Sequence, residues 1–327
     1  MKKYLLLILI LAVSFVLNSC FKINIQPFRQ EPKPASEYII KPATLISTND
    51  KVAVIDIEGS IGGGKCKPLS ICAVGMMSVL AKIEQDTDVK ALIINVNSPG
   101  GEVTITDIIY DSIMKLKKKK NIPVYTFVQR ACFSGGYYIG LAADEIYALP
   151  TSSIGSIGVI WLSFELVDTL KKIGVKPVVI KSVKNKDLAS PFKEMLPEER
   201  KAIQDNIDHL HNKFTNIVVD RRAKITKDNI DKIATGFVFT ADDALEKGLI
   251  DGVMYYDEFL EKLKEKLELK DFNLVRYSLY KNEIQTYYTP HMSNDFPFSQ
   301  DIGASLLNAF EETLENRSGY YYMSGKW

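Results

Sequence analysis

The stretch ALIINVNSPGG, residues 91–101, joins a short apolar run to a turn that contains two glycines. An apolar run of this length is typical of a strand buried on both faces of a parallel sheet. Residues 102–118 follow with isoleucine and leucine at helical spacing. Pro99 fixes the turn, and the glycines leave backbone N–H groups open to a ligand at the start of the helix. A tight turn without a chemical role explains the same glycines equally well.

The pattern of apolar runs and helical periodicity continues on both sides of this stretch and predicts an α/β domain with a largely parallel sheet. The long helix that Pro197 opens makes the second half of the chain mainly helical. Further strands are predicted at 52–57, 123–128, 145–149, 158–161 and 177–182, and further helices at 75–86, from Ser134, and at 164–173, 226–234, 240–247 and 255–266.

A second strand-to-helix turn, ACFSGGYY at 131–138, contains two candidate nucleophiles, Cys132 and Ser134. Ser134 precedes Gly135 at the start of a predicted helix, where a serine is also a common cap. Two glycine turns in one α/β domain together supply a nucleophile and two backbone donors for an oxyanion. No histidine lies near them in sequence, which leaves open which residue takes the proton of the nucleophile.

Charge and composition exclude several classes of function. The formal net charge is +1, which argues against a nucleic-acid-binding protein that relies on counterion release. The three histidines show no metal-ligand spacing with the cysteines, and the first turn lacks the GxGxxG pattern of dinucleotide sites. We therefore expect no metal and no organic cofactor.

The first twenty residues resemble a bacterial lipoprotein signal. Lys2 and Lys3 precede the apolar run Tyr4–Leu17, and the run ends in LNSC at 17–20. This resemblance implies cleavage before Cys20 and lipidation of its thiol; an uncleaved signal anchor is the alternative. Either interpretation predicts a membrane-anchored, extracytoplasmic protein. In an oxidising compartment, a disulfide between Cys66 and Cys72 is plausible.

Four ordered motifs carry a resemblance to a known family: NSPGG, SGGYY, PTSSIGSIGV at 150–159 and KNKDLASPFKEMLPEER at 184–200. The chain is similar over about 52–265 to the signal peptide peptidase A (protease IV) family, which are Ser–Lys peptidases of the ClpP/crotonase superfamily. The resemblance implies a ClpP/crotonase-like spiral of mostly parallel strands with flanking helices and a helical C-terminal part. It also implies a ring-like homo-oligomer.

Carried over by position, the resemblance implies that Ser134 is the nucleophile and Lys186 the general base. It gives Gly101 and Gly135 as oxyanion donors, and Ser156 as the residue that orients the lysine. A Ser–Lys pair needs no histidine, but it needs a neutral lysine whose pKa falls well below about 10.4. Lys181 and Lys184 lie close in sequence, and only the Lys-Asp match singles out Lys186.

These observations predict four segments. Residues 1–19 form a lipoprotein-type signal peptide, 20–50 a proline-containing linker, 51–270 the peptidase domain and 271–327 a C-terminal extension. The expected function is that of a membrane-anchored serine endopeptidase whose partners are peptides, above all cleaved signal peptides. An acyl-CoA hydratase of the same fold and a non-catalytic membrane scaffold or immunity protein are the alternatives.

Overall fold

A computed structural model describes residues 35–44, 47–62, 70–279 and 320–323, and these residues build a 12-stranded sheet with helices around it. The strands are β1 (Ser36–Lys41), β2 (Lys51–Ile61), β3 (Ser70–Ile71), β4 (Val89–Glu102), β5 (Val124–Phe133), β6 (Glu145–Ala148), β7 (Ser153–Gly155), β8 (Ile160–Trp161), β9 (Val238–Thr240), β10 (Gly252–Val253), β11 (Asn273–Ser278) and β12 (Tyr320–Met323). The helices are α1 (Ala73–Gln85), α2 (Val103–Lys120), α3 (Gly135–Gly140), α4 (Val167–Lys172), α5 (Pro197–Arg221), a 3-10 turn (Ile230–Lys232), α6 (Ala241–Glu246) and α7 (Tyr256–Lys266).

The main path of the sheet has the order β1-β11-β2-β4-β5-β6-β10. On this path, every neighbouring pair of strands from β11 to β10 is parallel, and only the pair of β1 with β11 at the edge is antiparallel. The predicted fold class, a mostly parallel α/β sheet with flanking helices, is therefore confirmed. Because parallel strands all end on the same side, the turns that follow β4, β5 and β7 lie at one edge of the sheet.

Both faces of the sheet are buried, as the uninterrupted apolar strands predict. Along β2, Val52 and Val54 point to one face and Ala53 and Ile55 to the other, and all four side chains are fully buried. Helix α7 covers the first face with aromatic and leucine side chains. Helices α1, α2, α3 and α5 contribute to the core on the second face. Each fully buried aliphatic side chain contributes about 1.5–3 kcal/mol to the free energy of unfolding.

The predicted turn at 97–101 is instead the end of a strand. β4 continues to Glu102, and its register shifts against both neighbouring strands. Gly100 takes a positive φ of 99°, which lets the strand bend there without leaving the sheet. Helix α2 then begins at Val103, close to the predicted start.

The strand predicted at 177–182 is wrong, because residues 175–181 form no regular secondary structure and residues 182–189 form only bends and turns. Its apolar, β-branched composition favours a strand, but no described strand pairs with it. The side chains of Val178 and Ile180 are 80% and 96% exposed. A strand without a neighbour leaves its backbone hydrogen bonds unmade, so composition alone does not stabilise it.

Two strands come from segments that composition assigns to a linker and to an extension. β1 lies within the predicted linker 20–50, and β11 lies beyond residue 270. The two strands pair antiparallel, and β11 also pairs with β2. The predicted helix at 226–234 is reduced to a single 3-10 turn, Ile230–Lys232.

Candidate active site

Ser134 occupies the turn between β5 and α3 in a strained conformation. Its φ of 52° and ψ of −115° lie in a region that residues with a side chain rarely adopt. The residue is fully buried, and its N–H donates to the Gly155 carbonyl at 2.8 Å. Its side chain makes no capping hydrogen bond to α3; Oγ contacts the Gly158 carbonyl at 3.4 Å. A helix cap therefore does not explain this serine, and among the described residues its hydroxyl makes only one long hydrogen bond.

Two tyrosines anchor helix α3 and so fix Gly135, its first residue. Both side chains are fully buried. The Tyr137 hydroxyl donates to the Leu249 carbonyl at 2.8 Å, and the Tyr138 hydroxyl donates to Asp107 at 2.7 Å. Burial raises the pKa of Tyr137, so its hydroxyl stays protonated and remains a donor. The SGGYY motif thus combines Ser134, the predicted nucleophile, with two tyrosines that anchor the helix after it.

Gly101 lies at the end of β4, directly against β2. A methyl group at this position would overlap the Ile61 carbonyl oxygen, so only glycine fits. The close approach follows from the pairing of Gly101 with Ile61 across the two strands. The N–H group of Gly101 therefore belongs to a segment of backbone whose position is fixed by the sheet, as an oxyanion donor requires.

Ser98 holds the bent end of β4 in place. Its hydroxyl donates to the Gly59 carbonyl at 2.7 Å and accepts from the Gly100 N–H at 3.1 Å. Helix α3 packs directly on it, because a Cβ on Gly136 would lie 3.1 Å from the Ser98 Cβ. The NSPGG and SGGYY motifs are therefore in contact, and Gly101 and Ser134 belong to adjoining strand ends.

Ser156 lies in the next strand end along the sheet, after β7. Its φ of 51° is another strained value, and its N–H donates to the Phe237 carbonyl at 2.7 Å. The preceding residue, Gly155, pairs with Phe133 and accepts the N–H of Ser134. The structure thus places Ser156 next to the Ser134 turn, and its role in orienting the lysine stays a prediction.

Cys132 is poorly suited to act as the nucleophile. It is part of β5, pairs with Ser98, and is completely buried with a free thiol. Burial raises the pKa of this thiol well above its usual range, so the reactive thiolate does not form near neutral pH. Of the two candidate nucleophiles in ACFSGGYY, the structure favours Ser134.

The lysines near the fourth motif differ in their partners. Lys184 forms an ion pair with Glu198 at 2.8 Å, and this hydrogen bond raises the pKa of Lys184. Lys181 pairs with Asp187 at 2.7 Å. Lys186 follows Lys184 by two residues, and its Nζ makes no hydrogen bond or ion pair with any described residue. A lysine held by a carboxylate is a poor base, so Lys186 is the best candidate of the three.

Lys186 is exposed, and no hydrogen bond joins it to the buried Ser134 in this single chain. Adjoining strand ends position Ser134, Gly101, Gly135 and Ser156. Lys186 instead belongs to residues 173–196, which form no strand. The Ser98 hydroxyl and the Gly158 carbonyl are site features that the sequence did not reveal. Ser98 lies within the NSPGG motif, but its hydrogen bonds to Gly59 and Gly100 depend on the register of β4 against β2, which the motif does not predict.

Three other predictions concern cysteines, metals and the membrane. Cys72 is disulfide-bonded, but Cys66 lies outside the described residues, so the pairing stays a prediction. Cys20 and the predicted signal peptide also lie outside them. The described residues hold no group of three or more His, Cys, Asp or Glu side chains placed to bind a metal ion. In the same part of the chain, no helix combines the length and the apolar composition that crossing a bilayer requires.

Comparisons with known proteins concern the chain as a whole. A family model described as peptidase family S49 matches residues 116–270, and one described as Clp protease matches 70–155. A protein of Enterococcus faecium provisionally named signal peptide peptidase SppA is 32% identical over 255 residues, which are 76% of this chain and 73% of that protein. Protease 4 of Salmonella typhi is 32% identical over 74% of this chain, but the match spans only 38% of that longer protein.

Among solved structures, a ClpP1 mutant from Listeria monocytogenes covers 65% of this chain and 95% of that chain, at 16% identity and a TM-score of 0.42. The sequence matches are the stronger result, because they include all of the strand ends and turns described above. The chain belongs to peptidase family S49, a family of serine proteases.

Proposed function

We propose that this serine protease is a membrane-anchored endopeptidase that cleaves peptides with a Ser134–Lys186 pair. The observation that carries the proposal is the conformation of Ser134: it is strained and buried, and its hydroxyl is not used as a helix cap. Strain of this kind persists only where the surrounding structure holds it, and it concentrates at functional sites. Gly135 follows this serine directly and Gly101 lies at the neighbouring strand end, so both offer backbone N–H groups on this side of the sheet.

The chemistry follows from these positions. Ser134 Oγ attacks the peptide carbonyl carbon while its proton passes to the neutral Nζ of Lys186. The N–H groups of Gly101 and Gly135 stabilise the oxyanion of the tetrahedral intermediate. The peptide C–N bond then breaks, and the leaving amine takes the proton from Lys186. Water, deprotonated by the same lysine, hydrolyses the acyl-enzyme and restores the serine.

The lysine has to move from its exposed position for this reaction. Two ion pairs of Asp187, with Lys181 and Lys193, hold the backbone beside Lys186. The segment that leads to Lys186 carries exposed apolar side chains, among them Val178 and Ile180, and Phe237 elsewhere in the chain is 72% exposed. We propose that these side chains pack against a second copy of the chain in a homo-oligomer, and that this packing brings Lys186 to a Ser134 hydroxyl.

The proposed substrates are apolar peptides in extended conformation, and cleaved signal peptides are the leading example. Two features support this choice: the name of the Enterococcus relative, and the LNSC sequence that would attach the protein to a membrane through Cys20. Signal peptides remain in the bilayer after cleavage, so an anchored extracytoplasmic enzyme meets them at high local concentration.

Labelling of the whole protein with a serine-reactive fluorophosphonate tests the nucleophile. We expect covalent labelling that Ser134→Ala abolishes and Cys132→Ala preserves, because only the serine has flanking oxyanion donors. Absence of labelling in the parent protein, together with absence of peptide hydrolysis, would support the non-catalytic scaffold instead.

The rate of peptide hydrolysis tests the assignment of Lys186 as the general base. Lys186→Ala should reduce the rate of peptide hydrolysis by a factor of about 100 to 10,000, the usual contribution of a general base. Lys184→Ala is the matched control and should retain most activity, since its ammonium group already pairs with Glu198. The double variant Ser134→Ala/Lys186→Ala should be hardly slower than either single variant, because the pair acts as a unit. A Lys184→Ala variant as inactive as Lys186→Ala would contradict the assignment.

A further inference from the structure

Residues 183–193, called here the lysine loop, have a defined conformation in the single chain although Lys186 is exposed. Three turn hydrogen bonds run from the N–H groups of Lys186, Leu188 and Ser190 to the carbonyls three residues earlier, at 3.3, 3.2 and 3.0 Å. Ala189 is buried and takes a positive φ of 56°. A residue with a side chain keeps such a φ only where its surroundings hold it. The lysine loop is therefore a folded element of the chain.

The first turn of helix α5 holds this loop on both sides of the proposed base. On one side, Lys184 pairs with Glu198 at 2.8 Å, and both side chains are exposed. On the other side, Lys193 pairs with Glu199 and, at 3.1 Å, with Asp187, which directly follows the base. The Glu199 side chain is only 1% exposed. The second connection is the stronger one, because an exposed ion pair contributes little to stability, whereas loss of one partner of a buried pair leaves an uncompensated charge.

Helix capping explains one of the two Glu199 oxygens but not the burial of the side chain. Oε2 accepts the Leu196 N–H at 3.0 Å, as a carboxylate in the first turn of a helix commonly does. Glu258 makes the same bond at the start of α7, to the Tyr255 N–H at 2.9 Å, with an exposed side chain. Burial of a carboxylate costs free energy unless a cation compensates it. At Glu199 this cation is Lys193, which the lysine loop supplies.

All three charges of this connection persist at neutral pH. Burial alone would raise the pKa of Glu199, but the hydrogen bonds from Lys193 and from the Leu196 N–H outweigh it, and the pKa lies below its usual value. Hydrogen bonds from Lys181 and Lys193 lower the pKa of Asp187. The hydrogen bond to Glu199 raises the pKa of Lys193. The two carboxylates therefore stay negative and the lysine between them stays positive.

We propose that Glu199 is a positioning residue for the base Lys186. Its buried carboxylate holds Lys193, which in turn holds Asp187 and so fixes the loop from which the base projects. This proposal rests on the proposed function, because it assumes that Lys186 takes the proton of Ser134. A base on a fixed loop loses little conformational freedom when it meets the serine, whereas a displacement of about 1 Å slows a reaction by about 100-fold. Glu199 belongs to α5 and not to the strand ends that form the oxyanion site, so loss of its charge should change kcat and leave KM.

Steady-state hydrolysis of a short fluorogenic peptide by the whole protein tests this role. Glu199→Gln keeps an oxygen for the Leu196 N–H and removes the charge, so kcat should fall about 10- to 100-fold while KM changes less than about twofold. Lys193→Arg keeps the cation and should retain most activity, which Lys193→Met should lose. Glu198→Gln is the matched control, because it removes an exposed ion pair from the same turn of α5 and should leave kcat near the parental value. A parental kcat for Glu199→Gln, or an equal loss for Glu198→Gln, overturns the proposal.

A double variant separates positioning of the base from a general loss of structure. The Lys186→Ala protein has no base left to position, so adding Glu199→Gln should slow fluorophosphonate labelling of Ser134 by less than about twofold. A further loss as large as the loss in the parent protein would give Glu199 a merely structural role and overturns the proposal.

Hydrogen exchange of the Ser134→Ala protein tests the connection without catalysis. The amide hydrogens of Lys186, Leu188 and Ser190 should exchange about tenfold faster in Glu199→Gln, and at the parental rate in Glu198→Gln. Parental exchange in Glu199→Gln overturns the proposal whatever the activities are. If exchange rises but Lys186→Ala hydrolyses peptides at the parental rate, the proposed base is wrong, and with it the positioning role, while the buried connection to α5 stands.

Discussion

At the scale of single residues, the site depends on backbone positions more than on side-chain chemistry. Gly101 is held so close to Ile61 that no side chain fits, and Ser134 accepts a strained φ that most residues avoid. Oxyanion stabilisation needs donors that do not move during the reaction. The close approach of Gly101 to Ile61 and the strained φ of Ser134 lower the free energy of unfolding, and the packing of the sheet and of helix α3 offsets this loss.

A methyl group at Gly101 tests this view. Gly101→Ala should lower the free energy of unfolding by about 1–3 kcal/mol, because the strand must shift away from Ile61. It should also reduce peptide hydrolysis by a factor of about 100 to 1,000, the usual loss when one oxyanion donor is displaced. Gly62→Ala is the matched control: its added Cβ meets nothing within 4 Å, so stability should change by less than about 0.5 kcal/mol. Urea unfolding and a peptide hydrolysis assay give the two readouts. Equal effects of both substitutions would contradict the close-packing argument.

The position of Ser134 was predictable from the sequence, but the contacts around it were not. Strand periodicity and the SGG turn placed the serine at a strand-to-helix junction, and the resemblance added Gly101, Gly135 and Ser156, which the fold places at adjoining strand ends. The role of Ser98 was out of reach, because it depends on a register shift in β4. The contact between Ser134 and Lys186 stays a prediction, because the lysine lies in a segment whose partners are not fixed by local sequence.

At the scale of secondary-structure elements, one carboxylate connects three of them. Asp86, directly after α1, accepts hydrogen bonds from Lys51 of β2 at 2.7 Å and from the Tyr277 hydroxyl of β11 at 2.6 Å. Burial alone would raise the pKa of Asp86, but the hydrogen bonds from Lys51 and Tyr277 outweigh it, and the net result is a pKa below 3.8. The charged form is therefore the one that the fold stabilises.

This connection makes a prediction about stability and pH. Asp86→Asn should lower the free energy of unfolding at neutral pH by about 1–3 kcal/mol. Because the native pKa is lowered, the stabilisation is complete above the ordinary value of 3.8 and is lost as the pH falls through the native value. Urea unfolding should therefore show the variant and the parent converging in acid. Asp205→Asn is the control; it removes an exposed pair with Lys201 and should cost less than about 0.5 kcal/mol. A gap between parent and Asp86→Asn that widens in acid would contradict the assignment.

The strands predicted from the sequence were correct where helices bury both faces of the strand. The prediction was wrong where a strand needs a pairing strand that is not close in sequence. The runs at 52–57 and 91–96 became β2 and β4 because helices cover both sides of the sheet. The run at 177–182 has the same apolar, β-branched character, yet it stays exposed and unpaired among the described residues. The hydrophobic periodicity of a segment indicates which side chains are apolar enough to be buried. It does not identify the surface that buries them.

At the scale of the whole molecule, that exposed run predicts self-association. Ile180→Asp should convert a homo-oligomer to single chains, because it places a charge where the proposed interface is apolar. Ile39→Asp is the matched control, since Ile39 is 59% exposed on the edge strand β1, away from the run. Light scattering of the whole protein in mild detergent measures the mass. A single-chain mass for the parent protein would contradict the proposed homo-oligomer.

Attachment to the membrane is tested by radiolabelled palmitate. Cys20→Ala should abolish incorporation, whereas Cys132→Ala should leave it unchanged, because that thiol is fully buried in β5. Labelling that survives Cys20→Ala would contradict lipidation of Cys20, and absence of labelling in the parent protein would favour the uncleaved signal anchor over the lipoprotein.

The position of β11 between β1 and β2 has a consequence for biosynthesis. Ribosomes deliver β1 and β2 early, but their shared neighbour is the last strand of the main path to be synthesised. Until residues 273–278 emerge, both early strands keep unpaired edges, which are the usual starting points of aggregation. A nascent chain is therefore unable to complete its sheet, and a protease released by premature termination should be degraded rather than active. Protein ending at residue 279 should fold cooperatively, whereas protein ending at residue 266 should not, and circular dichroism during thermal unfolding distinguishes them.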